Sequence, residues 1–129
     1  MWRGYLDFYG GEIAKDHDDL LFARLRDPGV EDMQAWVAEH DGALVGFVHI
    51  IIHAHSWRAE PVTYLQDLFA APSVRGQGVG RALIEQVYAD ADAHGRSAVY
   101  WLTQRSNTTA RTLYDRIGQP TEFMKYSRT

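Results

Sequence analysis

Thr63-Tyr64-Leu65-Gln66-Asp67-Leu68-Phe69, followed by Val74-Arg75-Gly76-Gln77-Gly78-Val79-Gly80-Arg81, decides the architecture of this chain. The first stretch reads as a strand rich in β-formers. The second places three glycines within five positions, with an arginine at each end. From Val79, apolar residues recur at Leu83, Val87 and Ala91, with Ala82 widening the stripe, so a helix runs over residues 79–94. A strand, a glycine loop and a helix in succession put backbone N–H groups at a helix N-terminus, where they favour an anion. Glycines let a ligand approach the backbone closely, and turn amides form an anion-binding concavity. The loop therefore reads as a cradle for a phosphate or pyrophosphate. It is not a Walker loop, because no Gly-Lys-Ser/Thr is present. Nor is it the dinucleotide pattern G-x-G-x-x-G, whose third glycine would fall on Arg81.

Working outward, Gly95 stops the helix and residues 97–104 read as a strand. Asn107 looks like the N-cap of a helix carrying Ala110, Leu113, Tyr114 and Ile117, ended by Gly118 and Pro120. Residues 122–127 read as a last strand. Upstream, residues 43–54 alternate as a β-branched strand, with Val48, Ile50 and Ile52 on one face and His49, Ile51, His53 and His55 on the other. Residues 30–39 fit either period, and Asp41-Gly42, a hairpin turn signal, decides for a strand over 33–39. Leu20, Leu21, Phe22 and Leu25 mark a helix, capped by Asp16 or Asp18 and stopped by Pro28-Gly29. Tyr5, Leu6 and Tyr9 mark an earlier one over 2–9, with Trp2 and Phe8 adding to an aromatic cluster. The strand–helix–strand unit requires a crossover between parallel strands. With the hairpin before it, the fold class is mixed α/β (α+β): one central mixed sheet flanked by helices, in a single domain over residues 1–129.

Composition narrows the function. With no cysteine there is neither a disulfide nor a thiolate nucleophile. No apolar run reaches a membrane span, and the start is not a signal peptide, so a soluble cytoplasmic protein without a membrane partner is expected. The net charge of −4 argues against nucleic acid. Residues 1–41 hold ten acids against four bases, a balance of −6, while the remainder holds seven against nine, a balance of +2. An anionic cofactor suits the second part, and a cationic substrate suits the first.

The pattern Arg-x-x-Gly-x-Gly after the strand Tyr64 to Phe69, together with Asn107, Ala110-Arg111 and Leu113-Tyr114-Asp115-Arg116 downstream, resembles the GNAT superfamily of N-acetyltransferases. Within it the chain is most similar to the diamine/polyamine and Hpa2-type branch. The resemblance implies an acetyl-CoA cleft between two splayed parallel strands. Leu68, Phe69 and Ala70 would pair with the pantetheine arm. The amides of Gly76, Gln77, Gly78, Val79, Gly80 and Arg81 would hold the pyrophosphate, with charge from Arg75 and Arg81. Asn107 would steady the cofactor, and Tyr114 would stand near the sulfur as the acid for the departing thiolate. The implied reaction is direct acetyl transfer to a primary amine: a polyamine, a basic small molecule or a lysine side chain. No metal takes part.

The chemistry asks for a base, because deprotonating an amine with a pKa of about 10.4 costs about 4–5 kcal/mol at pH 7. It also asks for an oxyanion donor, which a strand N–H near Leu68 or Phe69 supplies. Similar enzymes carry Glu-Asp where this chain has Gln66-Asp67, and Gln66 cannot accept a proton. Asp67, a histidine on the strand (His49 or His53) or water must serve instead; we take Asp67 and His53 as the candidates. Alternation sets Gln66 and Asp67 on opposite faces. A metal site at His49, His53 and His55 is disfavoured, with no carboxylate close in sequence. The strand expected ahead of the first helix from the resemblance is not read in this sequence, either because it is absent or because the recorded start lies downstream of the true one; its absence would leave a sheet edge for a partner subunit, a homodimer. The alternative reading is a CoA-binding regulatory module without transferase activity.

Overall fold

The computed structural model describes residues 15–128, with side chains from residue 17 onward. The helix predicted over residues 2–9 and its aromatic cluster lie outside the described residues. Seven elements follow in order: α1 (Lys15–Arg26), β1 (Met33–His40), β2 (Ala43–His53), β3 (Val62–Ala70), α2 (Val79–Ala93), β4 (Val99–Trp101) and α3 (Thr108–Ile117). They build a four-stranded sheet in the order β1-β2-β3-β4. The first three strands are antiparallel to their neighbours, and β4 lies parallel to β3. The predicted mixed sheet with its crossover helix is therefore present.

Local chemistry explains the joints. Asp41 and Gly42 both take left-handed backbone, with φ of 50° and 79°, as a two-residue hairpin demands. Asp16 and Asp18 fall inside α1 rather than at its cap. Pro28 and Gly29 do end that helix, where the Asp27 carboxylate accepts the Gly29 N–H at 2.8 Å.

One face of the sheet carries the core. Val48 and Ile50 of β2 and Leu65 of β3 pack on Leu83, Ile84 and Val87 of α2. Fully burying one such side chain stabilises by about 1.5–3 kcal/mol. Gly46 lets α2 approach the sheet: a Cβ there would lie 2.8 Å from the Phe69 carbonyl oxygen and 2.9 Å from Val79. At the far end of α2, the buried Arg96 donates to Thr63 Oγ1 at 3.1 Å and to Asp90, tying the helix end to the start of β3.

Two expectations fail. The strand predicted over 97–104 is only Val99–Trp101, and residues 122–127 form no strand. Phe123 and Tyr126 are 92% and 88% exposed. Strand propensity is realised only against a ladder neighbour, and three-residue β4 offers little edge to pair with.

The ladder between β2 and β3 slips once. His53↔Val62 through Ile50↔Leu65 run in one register, and His49↔Asp67 through Gly46↔Ala70 in the next. Gln66 is the extra residue, a β-bulge.

Candidate active site

The parallel pairing of β3 with β4 covers only Thr63 to Leu65. Beyond it, residues 67–70 of β3 keep their ladder with β2 and, among the described residues, have no strand on the other side. The bulge at Gln66 sits where the two strands part. Across the opening stands α3, and between them lies a cleft of about 640 Å³.

The glycine loop forms one end of this cleft. A turn of 3-10 helix, Pro72–Val74, buries Val74 and anchors the loop. Gly76 and Gly78 then take φ of 81° and 82°, left-handed values that disfavour any side chain although the space beside them is open. Gly78 is the N-cap of α2. The first-turn amides that follow it have no carbonyl within the helix to pair with. Gly80 faces Leu113 of α3, where a Cβ would sit at 3.5 Å. Arg75 and Arg81 line the cleft. Arg75 donates from Nε to the Ala70 carbonyl at 3.4 Å, and Arg81 pairs with Glu85 at 2.9 Å. Gln77 is not part of the wall and reaches back to the Ser73 carbonyl at 3.4 Å.

The other wall comes from α3. Asn107 occupies its N-cap position but makes no side-chain capping bond; its amide lies 3.5 Å from Thr103 Oγ1 and lines the cleft. The capping role expected of it is therefore absent. Tyr114 lines the same cleft, edge-on to Trp101 at 5.5 Å between ring centroids. The Tyr88 hydroxyl donates to the Ile117 carbonyl at 2.7 Å, and the Gly118 N–H donates to the Tyr114 carbonyl at 2.8 Å, fixing the end of α3. Leu68, Phe69, Ala70, Gly76, Gly78, Val79, Gly80 and Arg81 share the wall with Asn107 and Tyr114. Thr109, Ala110, Thr112, Leu113 and Arg116 join them. Ala110 and Leu113 belong to the apolar stripe already read in the sequence, and Thr109, Thr112 and Arg116 follow one another at the three- and four-residue spacings of a helix face, a signal that could have found them.

The candidate bases separate. Asp67 faces His49 across the ladder, with Oδ2 3.0 Å from Nδ1 and side-chain exposures of 14% and 10%. The bulge brings about this pairing, which simple alternation misses. His53 pairs with Val62, six residues before Leu68, or roughly 20 Å at about 3.3 Å per residue. Its Nδ1 donates to the Ala54 carbonyl at 2.8 Å, so Nε2 accepts the Tyr100 hydroxyl at 2.7 Å. His53 thus stands far from the cleft, whereas Asp67 and His49 are not among its lining residues but sit beside it, Asp67 being next to Leu68 and two residues from Phe69. Among the described residues no group of three or more His, Asp or Glu could hold a metal ion, and no helix is long and apolar enough to cross a membrane.

Residues 1–119 match the family described as Acetyltransferase (GNAT). The chain belongs to the GNAT acetyltransferase family. As a GNAT protein it is an N-acetyltransferase, and acetyl-CoA is its co-substrate. It is 36% identical over 129 residues to the D-amino-acid N-acetyltransferase HPA3 of Saccharomyces cerevisiae, covering 99% of this chain and 80% of that protein. An aminoglycoside N(6')-acetyltransferase type 1 of Salmonella typhimurium is 29% identical over 129 residues, covering 92% and 87%. Among solved structures, a probable acetyltransferase superposes with a TM-score of 0.83 at 24% identity, over 98% of this chain and 85% of that one. The aminoglycoside acetyltransferase AAC(6')-Iy, solved with a bisubstrate analogue, gives 0.80 at 24% identity over 99% and 88%. The GNAT cleft here fits a CoA-type ligand on its own chemistry: a glycine cradle with left-handed backbone, first-turn amides, two arginines and an unladdered strand edge lie along one groove.

Proposed function

We propose that this acetyltransferase moves the acetyl group directly to the primary amine of a small basic molecule, with a polyamine, an amino acid, an aminoglycoside or a lysine side chain as the acceptors to try. The observation that carries this reading is the open edge of β3 beside the glycine cradle. Residues 68–70 would pair with an extended pantetheine arm through that edge. The amides around Gly78 and the guanidinium groups of Arg75 and Arg81 would take the pyrophosphate, and Asn107 would hold the arm from α3. Acetyl-CoA supplies the activated acetyl group.

The chain's own residues do the proton work. Asp67 accepts the proton that the attacking amine must lose, directly or through one water. The Tyr114 hydroxyl donates a proton to the leaving sulfur. A strand N–H at Leu68 or Phe69 stabilises the oxyanion. The acidic balance of residues 1–41 supports a cationic acceptor, and the curated relatives that act on D-amino acids and aminoglycosides support a small one. A cytoplasmic homodimer, with β1, the edge strand among the described residues, at the subunit contact, goes with this reading; a clean monomer in sedimentation at micromolar concentration would count against it.

The test is a panel of D- and L-amino acids, aminoglycosides, spermidine and a lysine peptide, with acetyl-CoA and thiol detection. Release of CoA with at least one amine is expected; background rates throughout would remove the amine reading. Gln66 in place of an acidic residue favours one rival, a CoA-binding regulatory module. Calorimetry separates the two: tight acetyl-CoA binding with no transfer selects the rival.

A further inference from the structure

We propose that His49 is the positioning residue of this enzyme's base: its Nδ1–H fixes one oxygen of Asp67 and leaves the other to take the amine's proton. The proposal rests on the transferase reading above, and it starts from the register. Along the first half of the β2–β3 ladder, Ile50 faces Leu65, so an unbroken ladder would set His49 against Gln66. The extra residue moves Gln66 out, exposed, and brings Asp67 opposite His49 instead. One added residue thus exchanges a group that cannot take a proton for one that can. It also places a donor against it at 3.0 Å.

The pair is held rather than merely adjacent. Both side chains are nearly nine-tenths buried or more. The imidazole stacks on Phe47 with centroids 4.7 Å apart and planes 30° apart, and Phe47 in turn leans on Phe69 at 5.7 Å. Phe69 lines the cleft and shares a strand face with Asp67, two residues away. So the pair abuts the cleft wall along which the proposed function lays the acetyl donor. A carboxylate can only accept, so Nδ1 carries the proton in this bond. Among the described residues no protein donor reaches Asp67 Oδ1. In the transfer the proton leaves the amine nitrogen and lands on Oδ1, directly or through one water, while His49 keeps its Nδ1–H throughout. The arrangement parallels a triad with its order changed: here the imidazole orients the carboxylate.

Substitutions at His49 that distinguish its two ring nitrogens test the assignment. His49→Asn places an amide donor near the Nδ1 position. His49→Gln carries its donor to the Nε2 position. His49→Phe keeps the ring on Phe47 and removes both nitrogens. With the best amine of the panel, His49→Phe and His49→Gln should lose at least about tenfold in kcat with KM for acetyl-CoA within about twofold, and His49→Asn should recover to within about threefold of wild type. Asp67→Asn should lose about a hundredfold and should not be slowed further by His49→Phe. A purely structural role predicts the reverse order, with Phe the best tolerated at this buried ring site. Full activity of His49→Gln, equal losses in the Asn and Gln variants, or additive losses in the double variant would overturn the positioning role. Those results would leave the transferase reading intact, provided wild type turns over. A wild type that binds acetyl-CoA and acetylates nothing in the panel would overturn both. If His49→Phe does not fold, the Asn and Gln variants decide by themselves.

Discussion

The two sides of the cleft are built from different material. The side suited to a CoA-type ligand is mostly main chain: left-handed glycines at 76 and 78, the first amides of α2 and the unladdered edge of β3. The neighbouring side, to which the proposal above gives the amine's proton, is all side chain, with His49 and Asp67 set against each other and Phe47 and Phe69 packed beside them. Backbone geometry tolerates a wide range of side chains and fails only where a Cβ or a forced φ intrudes. A side-chain pair fails with one atom, yet leaves the fold standing. Damage to the first side should therefore appear in stability and CoA affinity, and damage to the second in turnover.

The largest expected effect attacks the main-chain side at its foundation. Gly46→Val drives a branched side chain against the Phe69 carbonyl and Val79, in contacts already under 3 Å for a Cβ. Neither neighbour is a flexible chain end, so α2 and its cradle must move. A cost of up to about 3 kcal/mol is expected in urea unfolding, with weaker CoA binding by calorimetry; an unchanged midpoint would break the contrast. Next comes Tyr114→Phe, which should lower kcat at least about tenfold with CoA affinity intact. An unchanged rate would take Tyr114 out of the chemistry and leave it a wall residue. Smaller still is Gly78→Ala. Nothing stands in the way of its methyl, so only the left-handed backbone is at stake, at about 1 kcal/mol. The melting temperature should fall by a few degrees, and Gly78→Asn should recover part of the loss. Equal stability of the Ala form would show that the loop relaxes freely.

The smallest effect concerns alkali. Burial raises the phenols of Tyr64, Tyr88 and Tyr100 above their ordinary value near 10; for Tyr64 the neighbouring Tyr100 and the charge of Asp67 add to it. A raised folded value means the unfolded chain gives up these protons first. The contribution is therefore complete below about pH 10 and is lost as pH rises through the folded values. Phenolate absorbance should show late-titrating tyrosines, and urea midpoints should hold to about pH 9 and decline above about pH 10. Titration of all three at the ordinary value would contradict the burial of these phenols.

The same contrast explains what could be read in the chain. Main-chain sites announce themselves through residue type, because glycine is needed where φ is positive and aliphatic periodicity marks α2. The loop and the crossover were legible for that reason. The His49–Asp67 pair was not, since strand alternation predicts faces only while the register is unbroken, and nothing in Tyr64-Leu65-Gln66-Asp67 marks Gln66 as the residue that is left over. Gly46 escaped notice because its reason is a close approach by α2, not a turn. Asn107 has an N-cap's identity and position, yet its amide serves the cleft. Residues 122–127 carry strand-forming residues but find no ladder.

Gln66 has one more consequence, and it concerns length rather than chemistry. Every cross-strand pair on either side of the bulge is defined without it: Ile50 with Leu65, and His49 with Asp67. Deleting Gln66 would leave all of those pairs in place and shorten β3 by one residue, roughly 3.3 Å of strand. Replacing it with any other residue would keep the spacing. The bulge at the point where β3 and β4 part would go with the deletion, and the two strands could zip onward past Leu65 into the cleft. In this reading the side chain of Gln66 is dispensable, and its peptide unit is a spacer that holds two parallel strands apart.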